Sequence, residues 1–97
     1  MEGGLVKDFI ETIGYNDNII EFLNKYYFFN GFDYNQNTKI YSFAVYEVAD
    51  KGYGEIIGTQ FYHESESAQE CITKFLEAKI WDNKTFYEVE KDMKWLD

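Results

Sequence analysis

The nine residues Ile40–Val48 constrain the rest of the chain more than any other stretch. They read Ile-Tyr-Ser-Phe-Ala-Val-Tyr-Glu-Val, a run rich in β-branched and aromatic side chains that suit a pleated surface. Tyr41, Phe43 and Val45 alternate with Ile40, Ala44, Tyr46 and Val48, so both faces are largely apolar. Such a strand belongs in the middle of a sheet, with cover on each side. Ala49-Asp50-Lys51-Gly52-Tyr53-Gly54 then supplies turn chemistry, its two glycines free to take positive φ. Glu55–Tyr62 reads as a second strand, paired antiparallel with the first.

What surrounds this hairpin reads mostly as helix. Leu5, Val6, Phe9, Ile10 and Ile13 recur at helical spacing, and Gly14 stands where a helix would end. Asn16-Asp17-Asn18 offers caps for a second helix carrying Ile19, Ile20, Phe22, Leu23, Tyr26 and Tyr27, which Asn30-Gly31 stops. Phe32–Tyr34 reads as a short edge strand, with Asn35-Gln36-Asn37 turning into Ile40. Beyond the hairpin, Ser67-Ala68-Gln69-Glu70 fits a capping box, with Ser65 as an alternative cap, and Ala68, Cys71, Ile72, Phe75, Leu76 and Ile80 form one helical stripe. Trp81-Asp82-Asn83 breaks that pattern. Thr85 to Glu88 is a second capping box, after which Phe86, Val89, Met93 and Leu96 keep helical spacing. The expected fold is therefore α+β: an N-terminal helix pair, an antiparallel meander of two to three strands and two C-terminal helices, in a single domain over residues 1–97.

Charge narrows the function. The chain carries 18 acids against 9 bases, a net charge of −9, and every base is lysine. A chain of that sign repels phosphate backbones and favours a basic partner, so direct nucleic-acid binding is excluded. Aromatic residues make up 21% of the chain, which argues against disorder. No apolar run approaches the ~20 residues of a membrane helix. The first residues lack the basic and apolar regions of a signal peptide, so a cytoplasmic protein without membrane attachment is expected.

Catalytic and metal chemistry find little to stand on. His63, the one histidine, lies close in sequence to Glu64, Ser65 and Cys71. A nucleophile there would need a base in hydrogen-bond reach and an oxyanion-stabilising group, yet no glycine elbow presents Ser65. Cys71 falls on the apolar stripe of its helix, where a buried, inert thiol is expected. Asp33 to Asn37 begins like a calcium loop, but Thr38 and Ala44 occupy positions that demand Gly and Glu. No cofactor and no metal site is expected, and no enzyme. A small hydrolase using His63 is the alternative from that class.

A binding function has more support. Glu47, Asp50, Glu55, Glu64, Glu66 and Glu70 gather on and around the hairpin against Lys51 alone. Tyr46, Tyr53 and Tyr62 are interleaved with them, a composition common at protein interfaces. These nine residues are the expected partner-binding set, with the acids pairing the Lys and Arg that normally grip phosphates.

The stretch Phe61-Tyr62-His63-Glu64-Ser65-Glu66-Ser67, running into Glu70-Cys71-Ile72, belongs to a small, acidic chain that resembles bacterial immunity proteins of toxin–immunity pairs, including those of contact-dependent growth inhibition. The resemblance is one of format over the whole chain. It implies a cognate toxin, often a basic nuclease domain at the toxin's C-terminus, neutralised by an acidic surface. The meander with its acidic cap, then Lys74-Phe75-Leu76, Trp81, Phe86-Tyr87 and Asp92-Met93, is similar to some acidic phage anti-CRISPR proteins. That likeness implies a DNA mimic directed at an effector's nucleic-acid groove.

Overall fold

The computed structural model describes residues 13–14, 16–50 and 54–96. Within them the chain forms a five-stranded antiparallel sheet: β1 Asn18–Phe22, β2 Lys25–Asn35, β3 Ile40–Val48, β4 Ile56–Ser65 and β5 Lys94–Trp95. The spatial order is β4-β3-β2-β1-β5. Two short helices, α1 Ala68–Glu77 and α2 Phe86–Val89, pack on one face. The fold is mostly β, not the expected α+β arrangement of an N-terminal helix pair, a two- to three-stranded meander and two C-terminal helices: the sheet has five strands and the two helices after β4 are short.

The largest correction falls on residues 16–30. The expected second helix is instead the β1–β2 hairpin, with Phe22 paired to Lys25 across a two-residue loop. Leu23 and Asn24 both take positive φ, 53° and 66°, the signature of a type I′ turn whose twist matches that of paired strands. Apolar residues at 19, 20, 22, 23, 26 and 27 satisfy a helical stripe, but they satisfy two alternating strands equally well. β-branched and aromatic side chains, packed against β3, decide for the sheet. Most of the expected first helix lies outside the described residues. Of it, Ile13 is buried in the core.

The expected short edge strand at Phe32–Tyr34 is the far end of β2, an inner strand eleven residues long. Its register slips between Asn30 and Asp33. This bulge turns Phe32 towards the helices, where its ring lies 5.9 Å from Phe43, and leaves Asp33 opposite Ser42 on the other face. Gly31 is required at the slip, because a Cβ there would come within 2.9 Å of the Gly14 carbonyl oxygen. Its N–H donates to Asp17 Oδ1 at 3.0 Å. A tight polar turn follows: Asn35 Oδ1 accepts from the N–H groups of Asn37 and Thr38 at 2.9 and 3.1 Å.

The last expected helix is also shorter. After α2 the chain makes one 3-10 turn at Glu90–Asp92 and straightens into β5. Trp95 pairs with Ile20, and Leu96 N–H donates to Ile19 O at 2.9 Å. Those bonds satisfy the open side of β1, a gain that outweighs the helical spacing of Met93 and Leu96.

The core fills the space between the sheet and the helices. Phe29, Phe43, Phe75, Ile20, Ile72, Val45 and Cys71 are fully buried there. Phe75 centres it, with ring centroids of Phe43, Phe86, Phe61 and Phe29 at 5.4, 5.4, 5.5 and 5.6 Å. The opposite face of the sheet carries Ile19, Phe28, Ala44, Tyr46, Val48 and Tyr62 by register. Among the described residues no helix is long and apolar enough to cross a membrane.

Candidate functional site

The chemistry-bearing residues concentrate along β4, which among the described residues forms one edge of the sheet and pairs only with β3. Its pairing is uneven. Phe61 to Ser65 match Val45 to Tyr41 residue for residue, whereas Gln60 and Ile57 are extra residues at two register shifts. The strand is thus regular where it runs towards α1 and bulged where it leaves the β3–β4 turn.

The expected partner-binding acids line this edge in two groups and do not share one face. Glu64, Glu66 and Glu70 lie where β4 enters α1. Asp50 and Glu55 are exposed at the β3–β4 turn, and Glu47 stands near them at the end of β3. With ~3.3 Å per residue, Glu55 and Glu64 are roughly 25–30 Å apart. Glu47 sits on the helix side, opposite Tyr27 and Gly58, and lines a hollow of about 230 Å³ with Trp81, Phe22 and Gln60. Burial first, and then the Glu47 carboxylate, push the Tyr27 phenol above its ordinary range. Tyr46 and Tyr62 are on the opposite face of the sheet, and Tyr53 lies outside the described residues.

At the α1 end the side chains form a capping relay. Ser65 Oγ donates to Glu70 Oε1 at 2.6 Å and accepts from Ser67 N–H at 3.0 Å. Ser67 Oγ in turn accepts from Glu70 N–H at 3.2 Å, capping the helix as its sequence position implies. The Ser65 hydroxyl, with His63 secondary, holds the Glu70 carboxyl below the usual carboxylate range. His63 Nε2 is 3.7 Å from Glu70 Oε2, near enough for charge attraction and too far for a hydrogen bond.

That arrangement does not assemble a serine nucleophile. Catalysis of that kind needs the hydroxyl to donate to imidazole. Here Ser65 donates to a carboxylate while binding the helix start. Cys71 is fully buried, its thiol pushed up by burial, with its sulfur 3.6 Å from the His63 carbonyl oxygen and 3.7 Å from that of Tyr41. Among the described residues no three His, Cys, Asp or Glu side chains are placed to hold a metal ion.

A feature that sequence reasoning missed lies on the face away from the helices. Asp33 on β2, Ser42 on β3 and Glu64 on β4 form one cross-strand row. They line a depression of about 650 Å³ together with Ile40 and Tyr62. Tyr62 OH donates to Glu64 Oε2 at 2.6 Å, fixing the carboxylate and raising the phenol's own pKa. The row depends on the slip at Gly31, so no spacing in the sequence announces it.

No family model matches this chain, and no curated protein or solved structure matches it either.

Proposed function

We propose that this chain is a binding inhibitor that neutralises a basic protein, and that the nuclease domain of a toxin is the partner class its chemistry fits best. One observation carries this reading. From Gly52 to Thr73 the sequence has no lysine or arginine but four glutamates, and these residues include the whole of the β4 edge. A basic surface approaching that edge meets only attraction from it. Carboxylates at both ends of β4 speed encounter with a nucleic-acid-binding groove, and Tyr46 and Tyr62 offer aromatic contact once it has docked. Such an immunity-type role would be served in the cytoplasm.

The experiment is recovery of the chain from its native cells with whatever binds it, followed by association kinetics across salt. The expected partner is a basic protein whose activity is blocked in the complex. Its association rate falls by about tenfold or more between low and high ionic strength. A rate that stays flat, or a partner without a cationic surface, refutes the reading.

A further inference from the structure

Resting on that reading, we propose that the partner contributes an extended basic segment that adds to Phe61–Ser65 as a sixth strand and sets a lysine or arginine against the Glu64 carboxylate. The backbone argument comes first. An edge strand presents a row of N–H and C=O groups towards the next chain, and natural proteins blunt such edges with lysine, proline or bulges. β4 has no lysine and no proline, and its two bulges fall before Phe61. Phe61–Ser65 is therefore regular strand with no such protection, and none of the described residues pairs with its outer side.

The side-chain argument is independent of the first. Glu64 lies on the face away from the helices, opposite Ser42 of β3. The half-exposed Tyr62 stands two residues along the same face, and its hydroxyl already holds the Glu64 carboxylate in place. In a strand laid beside β4, alternate side chains fall on this face, so a cationic residue opposite Glu64 meets its carboxylate directly. Charge selects the occupant. A second copy carries the same net charge of −9 and the same lysine-free edge, whereas a segment alternating basic and β-branched residues meets both demands.

The test uses the full chain and a capped seven-residue peptide alternating Lys and Val, beside a version N-methylated at alternate residues. Methylation removes the backbone donors of one edge and leaves the charges. On adding the first peptide, exchange of alternate amides within Phe61–Ser65 slows by about tenfold or more. The methylated peptide binds about tenfold or more weakly, as does the unmodified peptide to Glu64→Lys. Glu64 is exposed, so this variant keeps the fold. Equal binding of the two peptides overturns strand addition while leaving an acidic inhibitor intact. Binding of neither overturns strand addition and removes support from the inhibitor reading. If the chain alone sediments as a dimer with the same amides protected, the occupant is a second copy and the proposal falls.

Discussion

Phe28 and Phe29 are neighbours in sequence, and the hairpin places them on opposite faces of the sheet. Phe29 is fully buried against the helices. Its ring lies 5.6 Å from Phe75, 5.9 Å from Phe86, 6.1 Å from Trp95 and 6.3 Å from Trp81. Truncating a buried phenylalanine costs about 3–5 kcal/mol, and each aromatic pair adds about 0.5–1.5 kcal/mol beyond area. Four ring neighbours place Phe29→Ala near the top of that range, about 4–5 kcal/mol. Phe28 keeps part of its surface in water, so Phe28→Ala removes roughly half as much burial and costs about 2 kcal/mol. A domain of this size holds about 5–15 kcal/mol in total, and each kcal/mol moves Tm by about 4–8 °C. Phe29→Ala is expected to melt about 20 °C or more below the parent, and Phe28→Ala about 10 °C below. Urea unfolding followed by tryptophan fluorescence and far-UV circular dichroism measures both. Equal costs, or a larger cost for Phe28→Ala, would refute the assignment of the two faces.

Three further perturbations probe the β1–β2 turn and the helix caps. Leu23 holds φ of 53° with three quarters of its surface exposed, so Leu23→Asn combined with Asn24→Gly is expected to stabilise by about 1–2 kcal/mol; a loss in thermal unfolding would argue against the type I′ turn. Ser67→Ala removes the cap that accepts from Glu70 N–H and should cost about 1 kcal/mol in urea unfolding, with no change meaning that the relay is idle. Glu70 and Glu88 are both held below the usual carboxylate range, by the Ser65 hydroxyl and by the Thr85 backbone N–H respectively. Each adds stability above its unfolded pKa that is lost as pH falls through the folded one, so stability drops below about pH 4. Titrating Glu70→Gln/Glu88→Gln alongside the parent should give a flatter acid limb, and parallel limbs would show that neither carboxyl contributes.

Where local chemistry and tertiary context agree, the sequence was legible. Ile40–Val48 is a strand with those bounds, because both its faces are apolar and its flanking turns are polar. Ser67 is a cap and Cys71 is buried, as a hydroxyl before an apolar stripe and a thiol upon it imply. Ile19–Tyr27 reads as a helix although it is a hairpin, because period 3.6 and a folded-back period 2 fit it alike. The decisive turn, Leu23-Asn24, lacks the glycine that marks such loops. The end of the last expected helix is a strand instead, because β5 is two residues that form against the otherwise open side of β1. Acid enrichment along residues 47–70 was visible as composition, but its division between two ends and two faces of β4 is a matter of register. Asp33 and Glu64 share a row only because β2 reaches Asn35 with a slip at Gly31, and no spacing in the sequence encodes that register.

The placement of charge bears on why an exposed edge is tolerated. An unprotected strand of this kind invites pairing with another copy, and lysine is the usual remedy because two copies then repel. Carboxylates achieve the same self-repulsion with the opposite selectivity. Glu55 and Glu64 bracket β4, Glu66 follows it, and the whole chain adds a net charge of −9. Two copies approaching edge to edge bring like charges together at both ends of the strand. A basic chain approaching along the same path is drawn in. The bulges at Ile57 and Gln60 disable pairing near the turn, which confines any added strand to the five residues beside Tyr62 and Glu64. For the basic partner proposed above, one set of side chains would both discourage self-association and admit the cationic chain, so replacing Glu55 and Glu64 together with lysine should keep like charges at both ends of the strand while weakening attraction for basic chains.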